Sequence, residues 1–160
     1  MAKIKLDKID LKILQALQED GRMSNIDLSK CANISAPPCL RRVRNLEEKG
    51  VIQSYHARIN PAALGYGVTV MAMVMMKSHN DQDLKHFEDV MNTHPQVREC
   101  YMTTGECDYI VKVVAKDWDG YEDFLINHLC AVPHVGSVKS MIAKSKKFLA
   151  GVPIEPESPF

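Results

Sequence analysis

The period of the hydrophobic pattern changes once along this 160-residue chain, at Gly50, and that change sets two different folding problems. Up to Gly50 the apolar residues recur at helical spacing. Asp7 is placed to cap a first helix carrying Ile9, Ile13, Leu14 and Leu17 on one side, and Gly21 ends it. Ser24, with Asp27 three residues on, opens a second helix lined by Ile26, Leu28 and Cys31, in a near capping box. Asn33 and Ile34 make a tight connection. Ser35 is predicted to cap a third helix over residues 35–49, with Pro37 and Pro38 in the first turn, where a missing N–H is tolerated. Its predicted buried stripe is Leu40, Val43 and Leu46, and Gly50 stops it.

After Gly50 the alternation of VIQSYHARI predicts a strand or small hairpin, which Asn60-Pro61 breaks. Residues 61–66 read as a hinge. Strands are then predicted at 67–77, 97–104, 108–116 and 135–148. Helices are predicted at 81–93 (with Leu84, Phe87, Val90 and Met91 on one face) and at 118–131. The order βαββαβ within about 80 residues describes a ferredoxin-like sandwich. The expected fold is therefore α+β: a winged helix-turn-helix over 1–60, the hinge, a ferredoxin-like domain over 67–150 and a disordered Pro-rich tail over 151–160.

A formal net charge of zero argues against a polyanion partner only as an average. Residues 1–66 carry 11 Lys/Arg against 7 Asp/Glu, whereas residues 67–160 carry 9 against 13. A basic front and an acidic back suit a chain that offers one end to phosphates. The five cysteines form no CxxC pair and the six histidines no HExxH or HxH, so neither a metal nor another cofactor is expected. Scattered cysteines in odd number point to free thiols and a cytoplasmic setting. The charged start MAKIKLDKID is unlike a signal peptide, and the longest apolar run, 68–76, is about half a membrane span, so no membrane partner is expected.

On the third helix the side opposite the predicted stripe carries Pro38, Arg41, Arg42 and Asn45. Arg41 and Asn45, four apart, share a face. Arginine can fork onto guanine O6/N7 and asparagine onto adenine N6/N7, which is the chemistry of base edges in the major groove. Arg44 leans aside and suits a phosphate, and the N–H groups behind Ser35 can receive another. The simpler alternative is a solvated, arginine-rich surface. Tyr55, His56 and Arg58 are placed on the wing, within reach of backbone or minor groove.

The pattern S-x-x-x-C-x-x-R-V-x-x-L-E-x-x-G-V-I, starting at Ser35, resembles the N-terminal domain of the leucine-responsive/asparagine-regulator (Lrp/AsnC) family. TTGECDYIVKV resembles its T-G-x-x-D-Y segment, and PHVGSVKS falls where a second signature is expected; the match spans residues 6–148. The resemblance implies a transcription regulator that binds a double-stranded DNA operator and responds to a small effector, commonly an amino acid. It implies homodimers that associate into tetramers or octamers, with effector pockets between dimers near the T-G-x-x-D-Y turn. Carried over, the effector candidates are Thr104, Gly105, Asp108 and Tyr109, Asp108 facing an ammonium and the N–H groups around Gly105 a carboxylate. Many members place two threonines in the last signature. Here Val138 and Ser140 stand there, which puts a leucine-type response in doubt.

Met71, Met73, Met75 and Met76 in one predicted strand read as core and dimer-interface filling, or as a pocket for an apolar effector side chain. The competing function is enzymatic. Sirohaem decarboxylases have a related two-domain arrangement, but their chemistry calls for His and Arg groups converging on a large pocket. Here the histidines are dispersed and the arginines cluster on the third helix.

Overall fold

A computed structural model describes residues 4–144 and 150–154. The chain divides between Arg58 and Ile59 into two compact units, and residues 150–154 belong with the first.

The first unit is built on α1 (Lys8–Glu19), α2 (Asn25–Ala32) and α3 (Ala36–Glu48). Asp7 caps α1 by accepting N–H bonds from Ile9 and Asp10, while the Asp10 carboxylate accepts the N–H of Asp7, so the box is closed reciprocally. The Ser24 hydroxyl accepts the Asp27 N–H at the start of α2, and Asn33 leaves that helix in the left-handed region at φ 57°. The α3 stop is set by Gly50 at φ 68°. Its N–H bonds the Glu47 carbonyl while the Val51 N–H reaches back to Leu46, a Schellman arrangement. Ile13, Leu28, Cys39 and Leu46 fill the centre.

Residues 51–60 form no strand, contrary to the expected strand or hairpin. Asn60-Pro61 ends this extended segment without a returning strand, and a lone strand has no partner for its N–H and C=O groups. The expected hinge also has structure of its own. Asn60 accepts the Ala62 N–H and starts a single 3₁₀ turn, Pro61–Leu64, which Gly65 closes at φ 80°.

The second unit is a four-stranded antiparallel sheet in the order β2-β3-β1-β4, made of β1 (Val68–Met76), β2 (Val97–Met102), β3 (Tyr109–Ala115) and β4 (Val135–Ile142). Helix α4 (Asp81–Thr93) and α5 (Trp118–Phe124) cover one face. The α5 helix widens into a π-helical turn over Leu125–Leu129, where the Cys130 N–H bonds the Leu125 carbonyl. The last strand is shorter than expected; residue 148, its predicted end, lies outside the described residues, as does most of the predicted tail.

Alternation gives the two faces of the sheet different characters. Val70, Ala72, Val74 and Met76 of β1 and Tyr109, Val111 and Val113 of β3 are buried against Phe87, Met91 and Phe124. On the other face stand Met71, Met73 and Met75. Met73 lies opposite Ile110, and Met71 opposite Met141. The four methionine candidates thus divide, Met76 to the core and the others to the helix-free face.

Phe87 is fully buried with its ring centroid 4.6 Å from that of Tyr109. Phe87→Ala is expected to destabilise the second unit by about 3–5 kcal/mol. Urea unfolding followed by the fluorescence of Trp118, the only tryptophan in the chain and part of this unit, reads that loss selectively.

Candidate DNA-reading interface and effector region

The face that α3 leaves free is set by what holds the opposite face. Cys39 and Leu46 are buried and Val43 half-buried, so the stripe runs 39, 43, 46. Leu40, assigned to the stripe from the sequence, is instead 39% exposed. The rotation carries Arg42 inward, beside the stripe. Its Nη1 lies 2.6 Å from Asp7 Oδ2 and 2.7 Å from Asp10 Oδ1.

Arg42 therefore does not belong to the free face, which corrects its assignment as a base or phosphate contact. It bridges the capping carboxylate of α1 and a second carboxylate that is almost buried, Asp10 being 8% exposed. Charge-assisted bonds to two carboxylates are stronger than neutral ones. At Asp7, partial burial pushes the carboxyl pKa up, but the N–H groups of Asp10 and Ile9 and the Arg42 guanidinium outweigh it and hold the pKa below the usual 3.8. The two carboxylates in turn raise the Arg42 pKa.

What remains exposed on α3 is Pro37, Leu40, Arg41, Arg44, Asn45, Glu47 and Glu48. Arg41, Arg44 and Asn45 are exposed and make no side-chain hydrogen bond or ion pair among the described residues. Pro38 is half-buried.

Ser35 has the extended backbone of an N-cap, yet its hydroxyl makes no capping bond. The reason lies in the sequence. An N-cap side chain accepts from the second or third helical residue, and both are prolines here. The same two prolines remove the donors on which an anion site at this helix start depends, which corrects that expectation. The turn is held from outside, by Asn25 Nδ2 donating to the Ala36 carbonyl at 2.9 Å. On the expected wing, Tyr55 donates to Glu47 at 3.0 Å, and burial first, then this bond, pushes its pKa up to about 12. His56 and Arg58 are exposed.

The effector candidates separate more sharply. Thr104 and Gly105 are exposed in the β2–β3 turn, where Gly105 takes φ 130°, a conformation other residues avoid. Asp108 has both oxygens engaged within the chain. Oδ2 accepts the Met76 N–H at 2.7 Å, Oδ1 lies 2.9 Å from His79 Nε2, and the Asp108 N–H bonds the Val74 carbonyl. It ties the end of β1 to β3. The Met76 N–H, against a smaller opposing effect of burial, lowers the Asp108 pKa with help from His79.

Tyr109 is buried, its ring tilted at 37° against that of Phe87, with its hydroxyl 2.9 Å from Glu88 Oε1. It is a core residue and is not available to a ligand at the turn. Val138 is half-buried against the core, and the Ser140 hydroxyl is hydrogen-bonded to that of Tyr121. Of the six candidates, two are exposed at the turn and four are occupied in packing or hydrogen bonding. Among the described residues no His/Cys/Asp/Glu group is arranged to hold a metal, and the five cysteines are unpaired. No helix among them is long and apolar enough to cross a membrane.

Residues 6–53 match the model of a winged helix-turn-helix DNA-binding domain, and residues 69–149 that of the Lrp/AsnC ligand binding domain. The chain is 44% identical to the leucine-responsive regulatory protein of Rhizobium meliloti (strain 1021), covering 89% of this chain and 91% of that one. It is 41% identical to the Bkd operon transcriptional regulator of Pseudomonas aeruginosa, covering 92% and 97%. Among solved structures it resembles a transcriptional regulator of Neisseria meningitidis described as an L-Met complex. That match has a TM-score of 0.86 and 31% identity, covering 91% of this chain and 94% of that one. An AsnC family regulator of Agrobacterium tumefaciens matches with the same TM-score at 34% identity, covering 92% and 97%.

The arrangement separates two arginines that are neighbours in sequence. Arg42→Met is expected to lower the stability of the first unit by about 1–2 kcal/mol, because Asp10 is left buried without its cation; the partial exposure of Arg42 and Asp7 limits the loss. Arg41→Met is expected to leave stability unchanged. The Asp7 contribution is present above the usual carboxyl pKa of 3.8 and is lost as pH falls through the lower folded value, so acid melting should be shallower in Arg42→Met. Thermal melts by circular dichroism from pH 7 to pH 2 check both statements.

Proposed function

The chain belongs to the Lrp/AsnC family of transcription regulators, and from that premise we propose that it reads an operator in double-stranded DNA with Arg41, Arg44 and Asn45 of α3. The observation that carries this reading is the partnerless exposure of those three side chains beside an arginine whose Nη1 is held by two carboxylates. Arg41 and Asn45 lie one helical turn apart and suit adjacent base edges, while Arg44 suits a phosphate. Ser35 and Pro38 flank the entering turn and shape it without donating. The relatives described above are regulators, which favours this function over sirohaem decarboxylation.

Reading a two-fold operator requires two such helices at a fixed spacing. The helix-free face of the sheet supplies a surface for that pairing: Met71, Met73, Ile110 and Met141 form an apolar centre, with Lys112 ion-paired to Glu99 beside it. A homodimer formed there is the unit from which tetramers or octamers assemble. The effector is a small amino acid, as in the relative described as an L-Met complex. Of the candidate residues, Thr104 and the open backbone at Gly105 remain accessible to it, in a contact between dimers.

Arg41→Ala combined with Asn45→Ala is expected to weaken operator binding about 30-fold or more, at roughly 1–3 kcal/mol for each base contact. The oligomer should stay intact by sedimentation velocity. Binding of the unaltered chain should weaken steeply as salt rises, because phosphate contacts release counterions. Met73→Glu is expected to do the reverse, dissociating the dimer while leaving the first unit folded. Unchanged footprints by the double variant would contradict the residue assignment, and an intact Met73→Glu dimer would contradict the interface.

A further inference from the structure

The first turn of α3 poses a problem that Arg41 and Asn45 do not solve. In a helix-turn-helix the N-terminal residues of the reading helix approach the base edges most closely. Here that turn is Ala36-Pro37-Pro38-Cys39-Leu40. Its two prolines carry no N–H, and Ser35, though exposed, has no N–H of the second or third helical residue to cap. The turn also has no charged side chain before Arg41. Its outward surface is therefore apolar, presented by Pro37 and by Leu40.

An apolar surface at this position has one complementary feature in the major groove. Of the groups that distinguish the base pairs there, all but one are hydrogen-bond donors or acceptors; the 5-methyl group of thymine is neither, and apolar side chains are its usual contacts. Leu40 is held toward that position from two sides. Cys39 and Leu46 fix the rotation of α3 from the core, and Asn25 Nδ2 holds the Ala36 carbonyl. An unpaired base N–H or C=O set against Pro37 and Leu40 would lose its water without gaining a partner, so the same surface discriminates against polar edges.

We propose that Pro37 and Leu40 read a thymine methyl in each half-site, next to the base pair contacted by Arg41, and that Leu40 is a specificity-determining residue. This rests on the assignment of α3 as the reading helix, and the test separates the two.

The operator is first selected from random DNA with the full-length chain. Each thymine of a half-site is then replaced by deoxyuridine, which removes only the methyl group and keeps the base pairing. At one position per half-site the unaltered chain is expected to lose about fourfold in affinity, the value of one methyl taken out of water. Leu40→Ala should bind the thymine operator about fourfold or more weakly and be indifferent to deoxyuridine at that position.

If no deoxyuridine position weakens the unaltered chain, or if Leu40→Ala keeps the full sensitivity, the methyl contact is wrong. The deoxyuridine series on the unaltered chain decides the matter even if the Leu40 variant folds poorly. The Arg41→Ala, Asn45→Ala chain is run on the same DNA. If it binds as tightly as the unaltered chain, the reading-helix assignment fails. If it loses binding while deoxyuridine has no effect, only the methyl proposal falls.

Discussion

Arg42 is bonded to two carboxylates at the start of α1, and that bond locks the rotation of α3 that the burial of Cys39 and Leu46 sets. The geometry links a capping box to α3, the helix proposed to read the operator. Asp7 and Asp10 satisfy each other's backbone N–H groups, which leaves one oxygen of each turned toward the same guanidinium nitrogen. Loss of Arg42 would leave Asp10 buried beside Asp7 with no cation, a costly arrangement in a partly dry site. Other rotations of α3 about its axis are disfavoured for the same reason. Because the inward arginine is fixed, the outward ones are fixed too, and Arg41 and Asn45 inherit their direction from a contact they do not make.

The caps at Asp7 and Ser24, the stop at Gly50 and the βαββαβ order of the second unit were legible in the sequence because their causes are local. Asp7, Ser24 and Gly50 act within four residues of themselves. The phase of α3 was harder to read, since Leu40-Val43-Leu46 and Cys39-Val43-Leu46 are both acceptable helical stripes. What separates them is tertiary: Cys39 packs with Ile13 and Leu28 of the other helices, and Arg42 meets a carboxylate pair more than thirty residues away, which no window of the sequence contains. Asp108 follows the same logic, since its partners Met76 and His79 lie on or just beyond β1. Tyr109 did carry a usable signal. It shares the alternation of Val111 and Val113, so its side chain belongs to the helix-covered face. The missing cap at Ser35 was also visible in principle, as two prolines at the positions its hydroxyl would need.

The second unit separates its tasks by the period of the strand. One face is packed by Phe87, Met91, Tyr109 and Phe124, while the other carries the adaptable side chains of Met71, Met73 and Met75, which no helix covers. The β2–β3 turn stands apart from both. Its glycine is conformationally required, and its threonine is open. A ligand at such a turn would meet backbone more than side chains. Val138 and Ser140 are instead engaged within the sheet and its helix.

A crystal structure of the chain on its selected operator tests the central claim most directly, because it shows both arginines at once. The account predicts Arg41 and Asn45 within hydrogen-bonding distance of base edges, with Arg42 still bridging Asp7 and Asp10. Arg42 released from the two carboxylates and bonded to a base or phosphate would contradict it.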